Sequence, residues 1–365
     1  MNRARLRDLG IVTGALPPGP LNAITDVAGV RVGHATIHHD TPSVARTGVT
    51  ALWPAGPDIW SNAVYCGTHS FNGNGEMTGT IWIAEQGMLA GPVCITNTHS
   101  VGVVRDAIVA YAIREKTVQP WHLPVTAETY DGWLSDAEAF PVRQEHAFAA
   151  LESAAGGAVA EGCVGGGTGM VGHEFKGGIG TASRVVTTAG ASYTVGALVQ
   201  ANYGQRDLLR VDGVPVGRLI GTDVVPSHRD LPNPSGGSII VILATDAPLL
   251  PIQCQRMARR ATTGLAWVGG IGANSSGDIF LAFSTGNRVT LGEPIAHVRM
   301  IAPDQITPLF QAAAEATEEA ILNAMTMAVT TGGRLGRVVH ELPLDRLQAA
   351  MRQYGTRPPR DPTRA

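Results

Sequence analysis

Apolar positions in this chain come mostly as short continuous runs rather than as strict alternations. Residues 30–34, 79–85, 93–97, 194–200, 238–245, 279–284 and 297–302 read as strands. Strands of unbroken apolar character are usually buried on both faces. Apolar residues at helical spacing predict helices over 99–113, 145–155, 250–264 and 303–329. Twice-buried strands with several helices predict layered sheets covered by helices on the outside. The pattern alone fits a doubly wound α/β fold equally well. Residues 130–140 read as a loop. Residues 204–237 form a long, charged, irregular stretch, which inside a compact domain is normally functional or an interface element. The tail, 355–365, carries three prolines and several arginines and reads as disordered.

Composition narrows the class. With 365 residues, 44% apolar and 16% charged, the chain has enough material for a large core and little charge to cover it. That favours a compact or oligomeric protein, and we expect a homo-oligomer. The formal charge is −3 and no basic stripe appears, so nucleic acid is not an expected partner. The first residues, Met1 to Asp8, are basic but lead into no apolar run, and no stretch of 18 apolar residues exists. The expectation is a cytoplasmic protein with no membrane contact. Cys66, Cys94, Cys163 and Cys254 make no CxxC pair, and the histidines show no metal-ligand spacing. Neither a metal nor a cofactor is expected.

Several short motifs fail on inspection. Gly167-Thr168-Gly169-Met170-Val171-Gly172 is a literal GxGxxG, yet no Asp or Glu occurs between Glu174 and Asp207 to take a ribose. His173-Glu174 begins a zinc-helix pattern that Gly177 ends. No GxSxG elbow and no SxxK occurs.

The informative stretch runs from Gly269 to Ser284. Small residues, Gly269 to Ser275, lead straight into an apolar strand from Ile279. A serine at the start of a strand is held rigidly by the sheet behind it, while small residues before it permit unusual backbone geometry. Its hydroxyl can attack the preceding carbonyl and cut the chain. The freed amine, with a reference pKa near ~8, can then act as the base for its own hydroxyl. Ser275 and Ser276 both fit this position, and an ordinary turn fits as well.

Asn-Ser-Ser-Gly-Asp-Ile-Phe-Leu-Ala-Phe at 274–283 resembles the self-cleavage site of the DmpA/BapA family, the L-aminopeptidase/D-esterases and β-peptidyl aminopeptidases. Further blocks appear in order: Gly19 to Val27, Arg46 to Ala51, Gly73 to Gly79, Gly165 to Met170, Lys176 to Ser183, and Ala316 to Ile321. The resemblance covers nearly the whole chain. It implies one α/β domain over 1–365, a four-layer αββα sandwich similar to N-terminal-nucleophile hydrolases with different connectivity. It also implies self-cleavage into 1–275 and 276–365.

The family pattern puts the nucleophile directly before Gly-Asp, which is Ser276, so the cut bond joins Ser275 to Ser276. It matches Asn202 to an oxyanion donor and Glu128 to a carboxylate that binds the substrate ammonium. Tyr130 lies nearby, with its hydroxyl toward the reacting carbonyl. A hydroxyl-x-Glu pair beside the nucleophile matches Thr317 and Glu319. On an ideal helix two residues at that spacing point about 200° apart, so Glu318 is kept as a substitute. The implied activity is a self-processing serine aminopeptidase. It would release small N-terminal residues, including β-amino acids, from peptides or aminoacyl amides and esters. The alternatives are an acyltransferase of ornithine acetyltransferase-like architecture and a non-catalytic small-molecule-binding protein on the same fold.

Overall fold

The computed structural model describes residues 2–117, 119–227 and 237–355. Its N-terminal half begins with β1 (Arg31–His39), β2 (Ala45–Trp53) and β3 (Asn62–Gly73). Helix α1 (Thr80–Gln86), β4 (Met88–Leu89), β5 (Val93–Asn97) and α2 (Val101–Arg114) follow, then β6 (Val125–Thr129) and α3 (Gln144–Glu152). A small ribbon, β7 (Val171–Gly172) and β8 (Phe175–Lys176), precedes the long hairpin of β9 (Gly178–Thr188) and β10 (Ala191–Asn202). After α4 (Val216–Leu219) come β11 (Ser238–Thr245), α5 (Pro251–Ala258), α6 (Ala261–Val268) and β12 (Gly277–Thr290). Helix α7 (Thr307–Thr326), the ribbon β13 (Thr331–Gly332) and β14 (Val338–Val339), and α8 (Leu344–Tyr354) complete the chain.

Two sheets stack face to face. The smaller has the order β1-β2-β5-β6 and the larger β4-β3-β12-β11-β10-β9. Strand alternation divides the larger sheet between two cores. Ile239, Val241 and Leu243 of β11, with Phe280 and Ala282 of β12, pack against α5, α6 and α7. Ile240, Ile242, Leu281 and Phe283 face the smaller sheet. The far side of the smaller sheet is covered by α2 and α3. The layers are therefore helix, sheet, sheet, helix. The αββα expectation holds, and the doubly wound alternative does not.

Three expected elements differ. The expected strand over 79–85 is instead mostly α1, which begins at Thr80. Gly79 and Gly87 bound it with φ of 75° and 73°, and Ile83 is buried while Ile81 is exposed, so the apolar run has one buried face rather than two. Residues 297–302 form no strand: Val298 and Met300 are exposed and Ile301 alone of the three is buried. The helix expected over 250–264 is two helices, broken at Arg259 and Arg260. Strands β2, β3, β6 and β9 were not among the expected ones. Residues 130–140 are irregular as expected. The rest of the expected disordered tail after Gly355 lies outside the described residues, as does 228–236 of the long irregular stretch.

Candidate active site

Ser276 sits immediately before β12, a strand paired on both sides, with β3 antiparallel and β11 parallel. The segment entering it is pinned rather than loose. Its backbone closes a turn, the Ser276 N–H donating to the Ala273 carbonyl at 2.8 Å. Asn72, at the end of β3, donates from Nδ2 to the same carbonyl at 2.5 Å. Asn74 grips the two peptides that flank Ser276. Its Nδ2 donates to the Ser275 carbonyl at 2.8 Å and its backbone N–H to the Ser276 carbonyl at 3.2 Å. Gly277 is required here: a Cβ would come within 2.5 Å of the Asn74 carbonyl and 2.7 Å of Gly75 Cα.

The Ser276 side chain is buried, 2% exposed, and its Oγ donates to Asp278 Oδ1 at 2.6 Å. Two residues apart at a strand start, they share one face. Burial pushes the Asp278 carboxyl up to about 6, against the opposing pull of the Ser276 hydroxyl and the Ile239 N–H. The Tyr203 hydroxyl is fully buried and held well above its ordinary range, first by burial and then by the Asp278 charge. Tyr203, Leu208, Ile271 and Ala273 line a small cavity with Ser276 and Asp278.

Asn202 ends β10 on the opposite face of the sheet. Gln200, on that face, donates to the Thr96 carbonyl and to Thr129 Oγ1, both at 2.9 Å and both on the smaller sheet. Asn202 Nδ2 donates to the Tyr130 carbonyl at 2.9 Å, and its Oδ1 accepts the Val171 N–H at 2.8 Å. The ribbon carrying Val171 is held by buried Lys176, whose Nζ donates to the carbonyls of Met170 at 2.8 Å and Gly177 at 2.9 Å. The glycine-rich stretch is thus part of the mounting for Asn202. Across the sheet, Asn202 pairs with Ser238 and Ser238 with Gly277, so Asn202 lies two strands from the residue after Ser276.

Glu128, in β6, is 3% exposed. It accepts the Glu76 N–H at 2.9 Å on one oxygen and the Thr98 hydroxyl on the other. Burial raises its carboxyl above the usual range, partly offset by those two bonds. Gly75 alone separates it from the nucleophile's neighbour: a Cβ there would lie 3.2 Å from Glu128 Oε1 and 3.1 Å from Gly277 Cα. Tyr130, 51% exposed, sets its ring 6.1 Å from that of His99.

Thr317 and Glu319 point apart. Thr317 Oγ1 donates to the Ala313 carbonyl at 2.7 Å within α7, and its Cβ packs on Gly264 of α6. This is the back-bonding that a hydroxyl on an apolar helix face commonly makes. Glu319, fully buried, accepts Arg184 Nη2 at 2.8 Å, Arg7 Nε at 2.9 Å and Asn22 Nδ2 at 2.5 Å. Glu318 is also buried and is pushed up to about 7, mainly by burial and then by Asp212. Ser276, Glu128, Asn202 and Tyr130 thus gather around one end of the larger sheet. Thr317 and Glu319 instead bond within α7, to Arg184 of β9 and to Arg7 and Asn22 of the N-terminal segment. Asp278, Asn74 and Tyr203 join the site without having been singled out. Period-two spacing from Ser276 would have pointed to Asp278, but nothing local announces the β3–β12 pairing that delivers Asn74.

The sequence model of peptidase family S58 matches residues 22–339. The chain belongs to peptidase family S58. Among S58 relatives, β-peptidyl aminopeptidase BapA of Sphingosinicella microcystinivorans is 48% identical over 96% of this chain and 92% of its own length. A β-aminopeptidase structure from a Burkholderia species superposes with a TM-score of 0.89 at 50% identity, covering 97% of this chain and all of the other. The L-aminopeptidase D-Ala-esterase/amidase of Ochrobactrum anthropi gives 0.88 at 47% identity over 96% and 99% of the two chains. That protein is described as a prototype of the serine aminopeptidases and a new variant of the Ntn hydrolase fold. These S58 likenesses bear out the expected class, a serine aminopeptidase, over the acyltransferase and the non-catalytic alternatives. Among the described residues, no helix is long and apolar enough to cross a membrane.

Proposed function

We propose that this chain cuts itself between Ser275 and Ser276. The resulting N-terminal Ser276 then releases small N-terminal residues, β-amino acids among them, from peptides and aminoacyl amides or esters. The observation that carries the reading is the clamped strand start: a buried serine hydroxyl directly after a carbonyl that is already hydrogen-bonded. In the cut enzyme the Ser276 amine takes the proton from its own Oγ as the hydroxyl attacks the substrate carbonyl. Asn202 supplies a hydrogen-bond donor to the oxyanion once its amide exchanges the Tyr130 carbonyl for the substrate, with the Tyr130 hydroxyl at the same carbonyl. Glu128 holds the substrate ammonium by a charge-assisted bond. Thr317 and Glu319 act beside the nucleophile only after a rearrangement of the contacts described above. The processed unit is a single domain of two chains, 1–275 and 276–365. It assembles into a cytoplasmic homo-oligomer, a reading supported by low overall charge and by exposed Ile81 and Trp121.

The test is electrophoresis with N-terminal sequencing, then a panel of α- and β-aminoacyl p-nitroanilides. Two pieces are expected, the smaller beginning at Ser276, with Ser276→Ala intact and inactive. A piece beginning at Ser275 would move the nucleophile by one. An intact parent chain with full activity would falsify the mechanism.

A further inference from the structure

Lys176 is a cation inside the protein with no carboxylate to answer it. Its side chain is fully buried. Nζ donates to three carbonyls, of Met170 at 2.8 Å, Gly177 at 2.9 Å and Gly167 at 3.4 Å. Three such bonds require the charged ammonium, since a neutral amine has only two N–H groups. A charge removed from water is normally paired with an opposite one. Among the described residues no carboxylate forms an ion pair with Lys176, and the group that favours its charged form is Cys163.

We propose that Cys163 and Lys176 form a thiolate–ammonium pair, and that this pair is a site of reversible modification by small disulfides, which slows the enzyme through Asn202. The chain at 162–163 crosses β9, where Gly162 exchanges backbone bonds with Ile179 at 2.7 and 2.9 Å, so Cys163 lies beside the strand that follows Lys176. The Val329 N–H donates to Cys163 Sγ at 3.4 Å, and the Thr331 hydroxyl lies 3.7 Å from it. The Val329 carbonyl, at 3.6 Å, is the contact that a protonated thiol would use. The charged groups facing the sulfur are Lys176 and Arg3, and Arg3 is itself held by Glu341 at 3.3 Å. Burial opposes the thiolate, yet Lys176, Val329 and Thr331 bring the thiol below its ordinary value. Cys163 is partly exposed, whereas Cys66, Cys94 and Cys254 are buried and their thiols are pushed up, Cys94 to about 12. Reactive thiols occupy electropositive, partly exposed positions of the first kind.

The step balances between thiolate and disulfide. The Cys163 sulfur attacks one sulfur of the reagent, a new S–S bond forms, the old one breaks, and the second sulfur leaves as a thiolate. Cys163 is oxidised and the departing sulfur is reduced. The adduct carries no charge at Sγ, so the Lys176 ammonium is left buried and uncompensated. Lys176 holds Met170, whose neighbour Val171 donates its N–H to Asn202 Oδ1 at 2.8 Å. A shift of the ribbon therefore reaches Asn202. The effect on turnover rests on the oxyanion role of Asn202 proposed above; the pair itself does not.

The experiment treats the purified enzyme with 2,2′-dithiodipyridine between about pH 8 and 6, beside glutathione as an ordinary thiol, and maps the adduct by mass spectrometry. Over that range glutathione should slow roughly 50- to 100-fold as its thiolate fraction falls. Cys163 should slow less than about tenfold, and Lys176→Met should bring it to the glutathione slope. No adduct, an adduct on a different cysteine, or a parent slope as steep as that of glutathione overturns the pair. So does a Lys176→Met variant that keeps the parent slope; if that variant does not fold, the parent slope decides. The Cys163 adduct should lower kcat on aminoacyl p-nitroanilides about tenfold or more with KM little changed, and dithiothreitol should restore it. The reagent should leave the kcat of Cys163→Ala where it was. An adduct with full kcat overturns the coupling to turnover. Full activity in Asn202→Ala would instead remove the oxyanion role and leave the pair standing.

Discussion

Asn202 and Tyr130 are tied together: the side-chain amide of one donates to the backbone carbonyl of the other at 2.9 Å. The residue assigned to the oxyanion therefore also sets the path of the loop that carries the tyrosine. Asn202→Ala removes a donor and frees that loop. We expect kcat on aminoacyl p-nitroanilides to fall about 100- to 1000-fold in material that has been cut. A loss of less than tenfold would remove Asn202 from the oxyanion role.

Glu128 should separate free from blocked amines. Loss of one charge-assisted bond costs roughly 1.5–3 kcal/mol, or about 10- to 150-fold in kcat/KM. Glu128→Gln should show that loss on free-amine substrates, while N-acetylated ones stay poor with both proteins. Burial raises the Glu128 carboxyl, so the parent kcat/KM should decline on the acid side above the usual carboxylate range. The Gln variant should lack that decline. Equal turnover of blocked and free substrates by the parent would end the assignment.

For Glu319 the two readings give opposite signatures. Fully buried Arg184 and partly buried Arg7 both pair with it. Breaking a buried pair leaves a charge uncompensated, at about 3–5 kcal/mol. Glu319→Gln should therefore lower the denaturant midpoint markedly. An unchanged midpoint with lost kcat would restore the catalytic role that the family pattern implies.

Asp131 offers a test in stability alone. It is fully buried beside Thr47 and Asn97, and burial pushes its carboxyl up to about 7. An acid whose folded pKa is raised contributes fully below its unfolded value and loses that contribution as pH rises through the folded one. Asp131→Asn should therefore raise Tm at about pH 8, with the gain shrinking toward pH 4. A gain that grows as pH falls would contradict the burial argument.

What was legible in the sequence follows from range. β5 and β11 were read residue for residue because their runs are apolar on both faces and their boundaries local. β3 lies outside the sequence expectation because its outer half, Thr68 to Gly73, is mostly polar and half-buried to exposed, and pairing with β12 is what holds that half as a strand. Ser276, Glu128, Asn202 and Tyr130 could be named from motif blocks, and they do collect at one sheet end. Glu319 could be named but not located. Its partners, Arg7, Asn22 and Arg184, are far from it in sequence, and nothing local shows that they converge. Asp278 was in plain view inside the matched motif, but its bond to Ser276 became visible only with the strand.

The position of β12 gives the proposed cut an unusual outcome. The strand is held by β3 on one side and β11 on the other, so severing the peptide before it removes a covalent link but no strand pairing. The folded enzyme stays whole. Its unfolding nevertheless changes molecularity: one body becomes two independent chains, and recovery becomes a bimolecular encounter whose success depends on concentration. An uncut chain can fold alone at any dilution. A cut one that unfolds in dilute solution loses its partner to diffusion, so the same event that makes the nucleophile also makes unfolding hard to reverse.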